Sequence, residues 1–230
     1  ADSARLTSAG STDAFALKID LNSGTAWAKG WGGTAQETVR DLAVDALGNI
    51  LTTGYFNGTA DFDPAAATTF NLTSAGSSDA FVSKLNADGT LAWAVRHGNT
   101  GADQDSSAIA VDSSGNVLTA GAFLGTVNFG GVSLTSNGGS DGFVAKWNSV
   151  GQLQWVRQFG GTGADLAYGL TVDAAGAAFI TGQYGFSAVF GDTAASFLLS
   201  SSGGPNAVGQ RFPGAGEHGA IYDLKCTNTG

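Results

Sequence analysis

Four acidic side chains have the type and spacing to do chemistry: Glu37, Asp103, Asp105 and Asp165. Each lies seven to nine residues ahead of an aspartate that opens a turn, Asp45, Asp112 or Asp173. Carboxylates converging there would offer two chemistries. With enough oxygens they would hold Ca²⁺, which takes six to eight oxygen ligands. As a facing pair they would act as acid and base in glycosidic cleavage. No segment has the DxDxDG spacing of a calcium loop, and Asp61-Phe62-Asp63 occurs once. The four acids are therefore assigned as candidate ligand-binding residues. They carry no catalytic assignment, and Ca²⁺ is the one cofactor their oxygens suggest.

Other constellations are thin. His97 and His218 stand 121 residues apart, and neither has a Cys or His partner at zinc spacing. Ser is plentiful, yet no G-x-S-x-G elbow occurs. Gly160-Gly161-Thr162-Gly163 is glycine-rich, but no helix is expected after it to cradle a phosphate. With 19 Asp+Glu against 10 Lys+Arg the net charge is −9, which argues against nucleic acid because phosphate binding needs a cationic footprint. No apolar run approaches membrane-spanning length, and residues 1–20 lack the pattern of an uncleaved signal peptide. The missing Met is read as loss of the natural start, by signal removal or because the chain is an internal piece. The lone Cys226 excludes an internal disulfide framework.

The elements that position these residues come in copies. LTSAGSTDAF from Leu6 returns as LTSAGSSDAF from Leu72 and LTSNGGSDGF from Leu134, with a faded LSSSGGPNAV from Leu199; the spacings are 66, 62 and 65 residues. Trp27, Trp93 and Trp155 keep the same beat, with Tyr222 where a fourth Trp is due. AVDALGNILTTG from Ala43 is matched by AVDSSGNVLTAG from Ala110 and TVDAAGAAFITG from Thr171. Self-similarity at one fixed period marks a repeat architecture.

Each unit reads as four strands. Strand A ends at the turn Asp, and a Gly three residues on supplies the positive φ of a hairpin. Strand B carries the Thr and Gly of TTG, TAG or TG. Strand C follows LTSxG, and Phe15, Leu17 and Ile19 alternate in it with period two. Strand D holds the marker aromatic. The excess length between B and C, as in 57–79 and 125–141, is expected to form a small extra hairpin. Asp13, Asp79 and Asp141, with Asn206 in the fourth copy, are expected to cap turns through backbone N–H groups. The marker aromatics are expected to pack between sheets.

Four antiparallel strands per unit, set side by side, make an all-β β-propeller of 62–67-residue blades. The pattern VDxxGN, then a TG strand, then LTSxGxxDAFVxK (Leu72 to Lys84), then GxLxW (Gly89 to Trp93) resembles the bacterial β-propeller repeat family labelled SBBP, over nearly the whole chain. The resemblance implies a secreted or surface-attached bacterial propeller and implies no known reaction.

Residues 1–31 supply only strands C and D; units follow at 32–98, 99–160 and 161–230, about three and a half blades in one array. A half blade leaves an open sheet edge. Three readings follow: a piece of a longer polypeptide, the leading one; two chains paired edge to edge; or closure with a defective blade. The expected function is a non-enzymatic binding or adhesion scaffold for an extracellular polysaccharide or protein, secreted or on the cell surface. The alternatives are a polysaccharide lyase or hydrolase using the acidic loops, and a structural part of a larger extracellular assembly.

Overall fold

The computed structural model describes residues 5–24, 27–101 and 104–190, with the backbone alone of 26, 197–200 and 206–212. Asp103, His218, Tyr222 and Cys226 lie outside the described residues. Among the described residues there is no helix, and every sheet pairing between strands is antiparallel.

The half unit gives β1 (Ala14–Ile19) and β2 (Ala26–Gly33). The next gives β3 (Glu37–Val44), β4 (Ile50–Phe56), a short hairpin of β5 (Thr59–Asp61) and β6 (Asn71–Thr73), then β7 (Asp79–Leu85) and β8 (Leu91–His97). The third gives β9 (Gln104–Val111), β10 (Val117–Phe123), the hairpin β11 (Thr126–Asn128) and β12 (Ser133–Thr135), then β13 (Asp141–Trp147) and β14 (Leu153–Gly161). The last gives β15 (Leu166–Val172), β16 (Ala178–Tyr184), the hairpin β17 (Ser187–Phe190) and β18 (Phe197–Ser200), and β19 (Asn206–Phe212). Strands β3-β4-β7-β8 and β9-β10-β13-β14 form meanders in the order A to D, and β15-β16-β19 repeats A to C. These are propeller blades, and the described sheets follow one another without closing a ring.

The TG marker has a packing cause. Each A strand carries a β-bulge, between Val39 and Asp41, opposite Ala120/Gly121, or between Ala167 and Gly169. A Cβ on the facing Gly would lie 1.9 Å from the Thr38 carbonyl at Gly54, 2.1 Å from Asp105 O at Gly121 and 1.9 Å from Leu166 O at Gly182. Only glycine fits beneath the bulge.

The turn aspartates serve the A–B hairpins. Asp45 accepts the N–H groups of Leu47 and Asn49 and the Asn49 amide, and pairs with Lys84 at 2.9 Å; Asp112 does the same with Ser114, Asn116 and Lys146, also at 2.9 Å. Burial works against the Asp45 carboxylate, but the Asn49 and Lys84 bonds outweigh it and hold the group at about 2.

Blades are joined by repeated devices. The expected B–C hairpins form, and each reaches the D strand of the preceding blade: β5 pairs Gly32 and Gly33, Asn128 bridges Gly98, and β17 pairs Gly160 and Gly161. The marker Trp indoles reach forward. Trp27 Nε1 donates to Ala87 O at 3.4 Å and Trp93 Nε1 to Ser149 O at 3.0 Å, in the C–D turns of the next blade. At the end of strand D, Trp31 and Phe159 are buried among apolar side chains of both blades, and His97 is buried against Phe129, Phe143 and Trp147 of the next. The marker aromatics Trp27, Trp93 and Trp155 pack against the core clusters, as expected from their recurrence.

Candidate functional site

The A strands of successive blades lie alongside one another, and at their starting ends the structure builds a groove of about 420 Å³ across three blades. Gln36, Arg40, Tyr55, Asn57, Gln104 and Asp105 are among its walls. Arg40 Nη2 meets Asp105 Oδ2 at 2.9 Å, and Arg40 Nε donates to the same oxygen at 3.0 Å. The Arg40 guanidinium carbon also sits 5.2 Å from the Tyr55 ring centroid, and Gln36 Nε2 donates to Tyr55 Oη at 3.1 Å. The ion pair is substantially exposed, so it contributes no more than about 1 kcal/mol to stability. Its groups can be given over to a ligand at little cost to the fold.

The groove is made of departures from the repeat. Where blade two has Arg40, the next blades have Ser107 and Tyr168; where it has Tyr55, they have Ala122 and Gln183; Asp105 aligns with Thr38 and Leu166. At the same register Ser107 Oγ donates to the Ala167 carbonyl at 2.6 Å, an ordinary clasp between A strands. Arg40, Tyr55 and Gln36 were not singled out in the sequence. The available signal was their failure to repeat.

The four sequence candidates separate. Asp105 lines the groove, and Asp103 lies outside the described residues. Glu37 and Asp165 are 3% and 0% exposed, so they do not form a solvated acidic rim. They close the D–A loops from beneath: Glu37 Oε2 accepts Gly33 N–H at 3.0 Å, and Asp165 accepts Gly161 N–H at 2.9 Å and Gly185 N–H at 3.1 Å. Gln104 holds the equivalent place, with Oε1 accepting Asn99 N–H at 3.2 Å. Among the described residues no three Asp, Glu, His or Cys side chains are disposed to hold a metal ion.

Each of these loop-closing groups neighbours the Asp that opens the preceding C strand. Asp13, Asp79 and Asp141 accept the N–H of Ala9, Ala75 and Asn137, the turn-capping role expected of them. The middle station pairs Asp79 with Arg96. At the same position the last station has Gln158, which donates to Asp141, and the first has Gly30. Burial, then the nearby charge of Asp165, pushes the Asp141 carboxyl up; burial also raises Asp165, and burial with the Asp13 charge raises Glu37. Asp141 Oδ1 and Glu37 Oε1 have no hydrogen-bond partner among the described residues.

Residues 154–183 match the family model of the SBBP beta-propeller repeat. That stretch runs from strand D of one blade through A and B of the next, and so contains both Asp165 and the turn at Asp173. The chain is also 26% identical over 147 residues to an uncharacterized WD repeat-containing protein of Acanthamoeba polyphaga mimivirus. The match takes in 60% of this chain and 10% of that protein. Residues 154–183 of this chain carry a β-propeller repeat of the SBBP type.

Proposed function

We propose that the chain is part of a secreted or cell-surface bacterial propeller that binds an extracellular polysaccharide across the A-strand groove, without chemistry on it. The observation that carries this reading is the gathering of repeat-breaking polar and aromatic side chains, Gln36, Arg40, Tyr55 and Asp105, in one groove spanning three blades. Loops and strand ends on a rigid scaffold are where binding groups concentrate. An aromatic ring beside a guanidinium, amides and a carboxylate complements a sugar, whose C–H face is apolar and whose edge carries hydroxyls. Glycosidic cleavage needs two carboxyl groups about one bond; among the described residues the groove walls include one, Asp105.

A glycan array followed by a pull-down with intact polymer tests the reading. Retention of a polysaccharide without new reducing ends or unsaturated products, lost in Arg40→Ala/Tyr55→Ala, supports it. Depolymerisation lost on Asp105→Asn replaces it with the enzyme. Capture of a purified extracellular protein, with no glycan retained, replaces the polysaccharide with a protein ligand.

A further inference from the structure

Strand β1 is a C strand with its D neighbour and, among the described residues, no B neighbour. In the complete blades strand C lies between B and D, and the side chains that alternate along it are core. Phe81, Ser83 and Leu85 are 0%, 2% and 1% exposed, and Phe143, Ala145 and Trp147 are 0%, 0% and 2%. The equivalent Phe15, Leu17 and Ile19 are 62%, 53% and 57% exposed. Across a gap of about 750 Å³ stands β3, whose Leu42 and Val44 form the opposite apolar wall. The next A strand shows what such a wall normally does: Ile109, the counterpart of Leu42, is buried and donates its N–H to Asp41 Oδ2 of the preceding blade at 2.9 Å.

The gap carries a charge requirement as well as a shape. Lys84 and Lys146 on the complete C strands each meet the turn Asp of their own A–B hairpin at 2.9 Å in buried pairs. Lys18 occupies that register on β1. It donates to the Ala87 carbonyl at 3.1 Å and has no carboxylate within ion-pair distance among the described residues. The strand register adds a third requirement, because Gly54 faces Phe81 and Gly121 faces Phe143. In that register the Gly that the A-strand bulge demands of a B strand falls opposite Phe15.

We propose that this face binds an A–B hairpin of a further repeat of the same kind. Its VDxxGN turn places an Asp on Lys18, its B strand pairs with β1 with Gly facing Phe15, and its A strand covers Leu42 and Val44. The docking is strand addition to an open edge, in which main-chain hydrogen bonds give affinity and side-chain register gives selectivity. Of the groove residues argued to bind polysaccharide only Gln36 also lines the gap, and Arg40, Tyr55 and Asp105 do not, so the two readings fail separately.

The test uses the full chain with Leu17→Cys and a synthetic peptide of sequence 37–56, followed by maleimide labelling resolved by mass at residue 17. The peptide is expected to slow labelling at least tenfold. Peptides carrying Asp45→Ala or Gly54→Val are expected to protect less, and on the Lys18→Ala chain the Asp45→Ala peptide and its parent are expected to protect equally. The same hairpin joined ahead of residue 1 by a flexible linker removes weak affinity as a cause of failure. Unchanged labelling with the linked hairpin overturns the proposal. Protection that grows with chain concentration in the absence of peptide also overturns it, by assigning the face to a second copy.

Discussion

The middle and last blade junctions are built from one repeat, yet they balance charge in opposite ways. At the middle junction the buried Asp79 pairs with Arg96, and the loop beneath is closed by the neutral Gln104. At the last, Asp141 has Gln158 in place of the arginine, and the loop is closed by a second carboxyl, Asp165. The aromatic beside them also differs. His97 is buried against Phe129, Phe143 and Trp147, with neither ring nitrogen bonded among the described residues, whereas Phe159 stacks on Phe190 at 5.4 Å. A repeat fixes which groups must accept a backbone N–H and leaves open how their charge is met. The two junctions must therefore answer pH with opposite signs.

The largest effect belongs to His97. Burial holds its imidazole down at about 3, against an ordinary value of 6.5. The unfolded chain takes up a proton below pH 6.5 while the folded chain does not, so stability falls as pH falls through the window from 6.5 to 3. The loss is about 1.4 kcal/mol per pH unit, or about 3 kcal/mol by pH 4. His97→Phe, copying Phe159, is expected to flatten urea midpoints across that window. The acid loss that remains comes from carboxyls held low, Asp45 and Asp112 with the exposed Asp20 and Asp88, and lies at lower pH; for Asp45 it runs between 3.8 and about 2. An unchanged slope in His97→Phe would contradict the buried, neutral imidazole.

Next in size is the exchange of the two polar schemes. Arg96→Gln, copying Gln158, leaves the fully buried Asp79 without its cation and is expected to destabilise the chain at neutral pH by about 2 kcal/mol, since Arg96 is partly exposed. Gln158→Arg should act in reverse by giving Asp141 a counter-charge. Chemical denaturation of both variants at pH 7 checks the pair, and the same sign in both would break the comparison.

The smallest effect is at Asp165. Its carboxyl is raised by burial, so the folded chain holds that proton more tightly than the unfolded one. Its contribution is present below the ordinary carboxyl range and is lost as pH rises through the raised value. Asp165→Gln, copying Gln104, is expected to flatten this loss. It should leave the His97 slope untouched, as midpoints measured between pH 4 and 8 would show.

Much of the architecture was legible because the repeat states it several times over. The Asp-to-Gly turn at Asp45, Asp112 and Asp173 and the period of Phe15-Leu17-Ile19 each fix a strand or a turn. The B–C hairpins were readable as excess length, but not their pairing back onto the preceding blade, which depends on contacts far apart in sequence. Glu37 and Asp165 were legible as recurrent acids and not as buried ones. A carboxylate above a loop and one accepting N–H groups beneath it look alike in sequence. Gln104 in the same column held the clue, because an amide can replace an acid only where hydrogen-bond acceptance, not charge, is the shared demand. Arg40 and Tyr55 escaped notice for the opposite reason: a search for recurrence passes over residues that occur once.

The central claim is that what departs from the repeat binds and what recurs in it packs. Hydrogen exchange of the full chain, with and without a saturating polysaccharide identified on the array, measures this directly. The account predicts slowed exchange at 36–40, 55–57, 104–105 and neighbouring groove residues, with the Trp27, Trp93 and Trp155 strands unchanged. Protection spread equally over the three Trp strands, with the groove unaffected, would contradict it.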